Sequence, residues 1–319
     1  MKSCLKGFCT AFLFTTIICG SSCSKENAAS FCEAGTVKLE DKDYRGAVAD
    51  FNKAIKLNPK LAEAYYNRGL AKDELKDFEA AIADDTKAIE INPQLPYAYY
   101  NRGNAKRDLK NYEGAIADYT KAIEVNPKHA EAYCCRGVAK IYLKEYASAI
   151  TDFTKATELN PNDATNYYDL GKAKLDGVKD FAGAIADNTK AVELNPQYAL
   201  AYNNRGIAKG NLNDYVGAIA DFTKAINLDP NYTDAFCNRG TAKSYLKDFT
   251  GAVDDFTKAI ELNPKLGIAF DGRGFAKFSQ QDFSGALADF NKAIELNPDD
   301  ASAQTNGVIA EMNLRARNK

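Results

Sequence analysis

The side chains in this sequence that could do chemistry are one histidine, eight cysteines and 43 aspartates and glutamates. His129 stands alone, and there is no tryptophan. Hydrolases, metalloenzymes and proton shuttles usually draw on several imidazoles, so this count argues against them. One histidine excludes an H-E-x-x-H zinc motif, and the chain contains no G-x-S-x-G and no glycine-rich phosphate loop. The carboxylates recur at a fixed period, which marks them as copies of one structural position rather than a unique acid and base. Cys4, Cys9, Cys19 and Cys23 crowd the first 23 residues, leaving Cys32, Cys134, Cys135 and Cys237 in the body. None of the four has metal-site spacing, and adjacent Cys134 and Cys135 make poor bridge partners. They are expected to be small half-buried side chains. The expectation is no catalysis, no metal and no cofactor. With 41 Lys and Arg, the formal net charge is −2, which supplies no electrostatic footprint for nucleic acid.

The first residues carry a different chemistry. Lys2 and Lys6 precede an apolar stretch, Phe8 to Cys19, and then the small residues Gly20, Ser21 and Ser22. Twelve residues are too short for a membrane span, which needs ~20, and suit the centre of a secretory signal peptide. The segment before Cys23 resembles the lipobox of bacterial lipoproteins, with Gly20 where leucine is typical. Residues 1–22 are thus read as a signal peptide, Cys23 as the lipidated residue and 23–27 as a tether. The alternative is an ordinary cleaved signal in which Cys23 carries nothing. Ser24-Lys25-Glu26-Asn27 loosely resembles a surface-export tag of some Bacteroidetes lipoproteins. The expected location is the cell envelope, at the outer membrane or cell surface, with secretion as the alternative. Contact with the membrane runs through the lipid alone.

Beyond Asn27 the sequence repeats itself. Asn-Pro or Asp-Pro pairs recur at Pro59, Pro93, Pro127, Pro161, Pro196, Pro230, Pro264 and Pro298, at spacings of 34 residues with one of 35. Each unit reads as two helices. The first ends before a Lys-Asp or Lys-Asn turn, and Asp77, Asn111, Asp214 and Asp248 stand where they can cap the second. The second places alanines and isoleucines on one face. Its Asn-Pro end is expected to place asparagine in a left-handed turn. Glycines such as Gly69 and Gly103 and alanines such as Ala81 and Ala88 let helices approach, with Tyr65, Tyr99, Tyr133, Tyr202, Phe236 and Phe270 filling the space between neighbours.

This period and signature resemble the tetratricopeptide repeat. The resemblance covers eight copies, 28–61, 62–95, 96–129, 130–163, 164–198, 199–232, 233–266 and 267–300, followed by a capping helix over 301–319. It implies an all-α fold, a right-handed superhelical solenoid of antiparallel helix pairs whose first helices line a concave groove. Two departures run through the copies. Arginine replaces the leucine that usually precedes the glycine, at Arg68, Arg102, Arg136, Arg205, Arg239 and Arg273, and lysine replaces a frequent tyrosine three residues after it. Every second helix carries an aspartate, including Asp84, Asp118, Asp152, Asp221, Asp255 and Asp289. The expectation is a structural ladder of arginine–aspartate pairs between helices. Asp85 and Asn188 stand where other copies carry an aromatic, so the second and fifth repeats are expected to be looser. The fifth also has one extra residue, near Asp176-Gly177-Val178.

The residue before each arginine is Asn67, Asn101, Asn204 or Asn238 in four copies. An amide donates and accepts at once, which suits a peptide backbone, and Tyr66 and Tyr100 add area and hydroxyls. The row resembles the asparagine ladder in the repeat domain of O-linked N-acetylglucosamine transferases, which implies main-chain recognition of an extended peptide. Cys135 and Asp169 interrupt it. The lysine and arginine clamp by which some tetratricopeptide co-chaperones hold a terminal carboxylate is not matched here. Glu63, Tyr66, Tyr97, Glu131, Cys134 and Cys135 occupy its cation positions. The functional expectation is a non-enzymatic scaffold binding protein or extended peptide, anchored at the envelope and assisting assembly of an envelope complex. A secreted or surface spacer with no groove ligand is the alternative.

Overall fold

The computed structural model describes residues 27–317. Among these residues it contains seventeen α-helices and no strand, in two compact units, Met1–Asn162 and Asp163–Lys319. In the first unit α1 (Ala28–Glu40) pairs with α2 (Tyr44–Leu57), and α3 (Ala62–Glu74) with α4 (Phe78–Ile91). There too α5 (Pro96–Asp108) pairs with α6 (Tyr112–Val125), and α7 (Ala130–Tyr142) with α8 (Tyr146–Leu159). In the second unit α9 (Ala164–Ala173) pairs with α10 (Phe181–Leu194), and α11 (Ala199–Asn211) with α12 (Tyr215–Leu228). Then α13 (Thr233–Tyr245) pairs with α14 (Phe249–Leu262), α15 (Gly267–Ser279) with α16 (Phe283–Leu296), and α17 (Ala301–Arg317) covers the last pair. The fold class read from the sequence, an all-α array of antiparallel helix pairs, is the one observed. Within each unit the first helices of successive pairs touch directly, as α3 does α5 and α13 does α15, with no comparable contact between second helices. The first helices are therefore the inner row of each unit.

The turn inside each pair follows from local chemistry. Lys42, Lys76, Lys110, Lys144, Lys179 and Lys247, with Asn213 and Gln281, adopt φ between 55° and 66°, the left-handed conformation that closes a helix. In α3 the closure runs from Asp77 N–H to Lys72 C=O at 2.9 Å. The next residue then caps the second helix: Asp77 accepts from Ala80 N–H, and Asn111, Asp214 and Asp248 accept from the glycine three residues on. The Asn-Pro ends differ from expectation. Asn58, Asn92 and Asn126 have φ of −138°, −136° and −131°, extended rather than left-handed, because the following proline sterically excludes helical geometry. Asparagine serves there by side chain: its Oδ1 accepts from the N–H two residues later, 3.1 Å at Asn58 to Lys60.

Second helices bury alanines and one aromatic each on the glycine of their partner. A Cβ on Gly103 would lie 2.7 Å from the Tyr119 ring, so only glycine allows that approach. In α4 and α10 the ring is replaced by Asp85 and Asn188, both fully enclosed at 1% and 0% exposure. Neither Asp85 oxygen has a hydrogen-bond partner, and burial raises its carboxyl well above the usual range. Asn188 donates to Ala184 C=O at 2.8 Å. The extra residue of the fifth pair is absorbed as a π-helical turn, Lys174–Val178, closed by Asp180 N–H to Lys174 C=O. That wider loop lets α10 keep its fourteen residues and its cap at Asp180.

Candidate functional site

Two sets of side chains project from the first helices, on different faces. The outer set meets the second helices. Arg102 donates through Nε and Nη2 to both oxygens of Asp118, at 2.9 and 2.6 Å, and through Nη1 to Thr86 of the preceding pair at 3.1 Å. Lys106 completes the site at 2.7 Å from Asp118 Oδ2, and the Arg102 guanidinium lies 5.8 Å from the Tyr99 ring centroid. The same fork joins Arg68 to Asp84, Arg136 to Asp152, Arg205 to Asp221, Arg239 to Asp255 and Arg273 to Asp289. These aspartates are 3–5% exposed, and a carboxylate this enclosed needs a bidentate partner to offset its lost hydration.

Sequence reasoning singled out the lysines only as departures and missed that Lys72, Lys106, Lys140, Lys209, Lys243 and Lys277 close each aspartate. It also missed the threonine on the preceding second helix. Thr86, Thr120, Thr189, Thr223 and Thr257 accept from the next arginine, and Asn52 replaces threonine for Arg68. The signal was present as a threonine two residues after Asp84, Asp118, Asp187, Asp221 and Asp255. Two pairs lack arginine. Asp50 is held by Lys38 and Lys53, and Asp187 by Lys174 alone, 2.7 Å away.

The inner set follows a three- and four-residue stride along each first helix, as Glu63, Tyr66, Asn67, Leu70 and Asp73 do in α3. Contacts between neighbouring first helices run through these positions. Asn67 Nδ2 reaches Thr36 Oγ1 at 3.5 Å, Asn238 Nδ2 donates to Asn203 Oδ1 at 3.0 Å, and Tyr100 Oη lies 3.6 Å from Cys135 Sγ. The sequence-read asparagines are therefore not equivalent. Asn67 and Asn238 spend a donor on the neighbouring helix, and Asn204 is buried at 7% exposure against α9. The enclosed Asn101 Nδ2 has no partner. Tyr66 and Tyr100 are half-buried on the same face. Cys135 and Asp169, which interrupt the row in sequence, are buried too.

His129 caps this face in the first unit. It is 4% exposed, its ring centroid lies 4.8 Å from that of Tyr97 and 4.9 Å from that of Tyr100, and its Nε2 is 3.7 Å from Glu131. Burial lowers its pKa, with Glu131 opposing, so the ring is neutral at pH 7. The body cysteines are all buried and unbridged. Desolvation pushes the Cys32 thiol up to about 11 and the Cys237 thiol up to about 12, which makes both poor nucleophiles. Among the described residues no three His, Cys, Asp or Glu side chains group to hold a metal, and no helix is long and apolar enough to cross a membrane. Cys23 lies outside the described residues.

Comparison with known proteins adds a frame to this geometry. A tetratricopeptide repeat family model matches residues 62–95, 96–129, 130–163, 199–232 and 233–266, and a second repeat model matches 35–73. The matched segments leave out 164–198, the pair that carries the π-helical turn, and also 267–300. Comparison with curated proteins gave no match. Among solved structures the chain is similar to YrrB, described as a TPR protein with an unusual peptide-binding site. Identity is 29% over 58% of this chain and 95% of YrrB, with a TM-score of 0.52. It is similar to MamA from Desulfovibrio magneticus at 25% identity, covering 54% of this chain and 96% of that one, with a TM-score of 0.50. The APC/C component pair Cut9–Hcn1 shares the fold at 16% identity and a TM-score of 0.60. It matches 84% of this chain, which spans about half (52%) of that one.

Proposed function

The chain belongs to the tetratricopeptide repeat family, and from that premise we propose that it is a non-enzymatic scaffold holding an extended segment of another protein on its inner row. The observation that carries this reading is the division of labour on the first helices. The fold is held by the arginine–lysine–aspartate ladder on one face, which leaves the inner face free to vary from pair to pair. An inner face that varies from pair to pair and carries amides and tyrosines suits main-chain recognition. The likeness to YrrB, whose peptide site is its described feature, supports the same assignment. The scaffold is anchored at the cell envelope through lipid on Cys23, where it assists assembly of an envelope complex. This part rests on the residues before Cys23 and on fold-level analogy.

Binding is tested by capturing partners from native cells on wild type and on a variant carrying Asn67→Ala, Asn101→Ala and Asn238→Ala, after both show equal helical circular dichroism. A partner held by wild type and lost by the variant supports inner-row recognition. Equal retention moves binding elsewhere, and absence of any partner leaves a spacer. For the anchor, Cys23→Ser is expected to abolish incorporation of a clickable fatty acid and release the chain from membranes. Persistent labelling would exclude Cys23 as the lipid site.

A further inference from the structure

The first unit separates its charges by face. The cations on its first helices are Lys38, Arg68, Lys72, Arg102, Lys106, Arg107, Arg136 and Lys140. All but Arg107 are paired with the ladder aspartates Asp50, Asp84, Asp118 and Asp152. Arg107 donates to Asp108 through Nε at 3.1 Å and Nη2 at 3.0 Å, and reaches Cys135 Sγ through Nη1. Every first-helix cation of this unit is thus committed within the chain. The exposed carboxylates of the inner row, Glu33, Glu63 and Glu131, all lie off the ladder.

One part of this acidic face is built from rings. Tyr97, Tyr100 and His129 pack against one another with centroids under 5 Å from the imidazole. Tyr97 is 37% exposed, and Glu131, 57% exposed at its side chain, stands 3.7 Å from His129 Nε2. His129 Nδ1 is enclosed and has no partner, and the exposed carboxylate of Glu131 flanks the rings. An electron-rich aromatic wall beside a reachable carboxylate is the arrangement that attracts an organic cation. A planar guanidinium fits it better than an ammonium, because it stacks on a ring while its edge donates to a carboxylate.

We propose that Tyr97, Tyr100, His129 and Glu131 form a subsite for an arginine side chain, and that the partner of this scaffold presents a basic extended segment to the acidic row of the first unit. Tyr97 supplies the stacking surface, held from behind by His129 and Tyr100, and Glu131 accepts from the guanidinium. Glu63, which occupies in α3 the register of Tyr97 in α5, offers a second carboxylate one pair away. The assignment rests on inner-row binding and adds the charge of the ligand. It is opposite in sign to a clamp for terminal carboxylates.

The test is selection of a randomised twelve-residue peptide display library on the purified chain, followed by anisotropy titration of the most enriched peptide. Arginine enrichment is expected. Loss of affinity of about tenfold is expected for Glu131→Gln and for Tyr97→Ala, with retention in Tyr97→Phe, which keeps the ring. Glu124→Gln, whose carboxylate pairs with Lys121 on a second helix, is expected to bind as wild type. Circular dichroism confirms that each variant folds. Enriched peptides without basic residues that still lose binding on Asn67→Ala with Asn101→Ala would overturn the arginine subsite and leave the scaffold reading standing. Unchanged affinity in Glu131→Gln would do the same. A library yielding no binder at all would overturn both.

Discussion

The inner rows of the two units are built on one frame and carry different chemistry. Arg102 with Asp118 in the first unit and Arg205 with Asp221 in the second make the same forked pair, with the same lysine at 2.7 Å. Yet the first row presents Glu33, Glu63, Glu131 and a ring cluster. The second carries the buried amides Asn203 and Asn204, Asn238 bonded to Asn203, one exposed carboxylate, Asp234, and exposed apolar side chains, Leu200 at 41%, Ile268 at 67% and Phe275 at 47%. What repeats is what packing requires. What varies lies off the arginine–aspartate ladder, although Tyr100 still packs against Tyr119 of α6, ring centroids 5.9 Å apart. The contrast between the rows is therefore one of exposed carboxylates and rings in the first against exposed apolar side chains in the second.

Removing the shared frame has the largest expected effect. Asp118→Ala leaves Arg102 and Lys106 without their carboxylate, and a loss of about 3 kcal/mol is expected, read as lost amide-exchange protection in α5 and α6. Asp221→Ala should cost the same in α11 and α12. Asp187→Ala, which frees only Lys174, should cost about 1 kcal/mol. Equal protection in Asp118→Ala and wild type would dissolve the frame and with it the contrast between faces.

A smaller gain is expected from Asp85→Phe, which restores the ring that Gly69 is shaped to receive. Burying an aromatic and removing an unpartnered carboxyl should stabilise α3–α5 by about 2 kcal/mol at pH 7. The pH dependence follows from direction. Asp85, raised by burial, and its neighbour Asp73, raised to about 6 by burial and by Asp108, bind protons more tightly folded than unfolded. Wild type therefore gains stability as pH falls from 7 toward 4, and Asp85→Phe keeps only the part due to Asp73. The difference between the two proteins cancels the opposing effect of buried His129. A difference flat across that range would mean that Asp85 is hydrated.

The least effect belongs to the amides. Asn238→Ala removes a donor from Asn203 and should cost about 1 kcal/mol, whereas Asn101→Ala removes an enclosed amide nitrogen that has no partner and should cost under about 0.5 kcal/mol. If Asn101→Ala proved the more damaging by urea titration, its amide would have a structural partner, and its role on the inner row would need revision.

Much of this was legible in the residues. Periodicity placed the helix pairs, because an apolar face at three- and four-residue steps has one way to be buried in a tandem array. Asp77 and Asn111 announced their caps. The recurrence of arginine and aspartate sixteen residues apart announced that a charge was being packed rather than displayed. The lysines and threonines that complete the ladder went unread, since a periodic lysine looks the same whether it points to water or to an enclosed carboxylate. The four asparagines of the row share one register in the sequence but not one set of partners. Spacing along one helix does not say whether a neighbouring helix has already taken the donor, as α1 takes that of Asn67 and α11 that of Asn238.

The sequence by itself determined the fold class, the helix pairs and the place of the irregular fifth pair, because these depend on short-range patterns of burial, capping and chain closure. Tertiary structure alone decided which charges are spent and which remain. Lysines and arginines of one helix are neutralised by aspartates sixteen or twelve residues away, while Glu33 and Glu63 on the same first helices stay exposed. It also brought His129 between two tyrosines from the pair before it. Such contacts depend on distances between helices, and a distance across an interface is set by how whole helices pack.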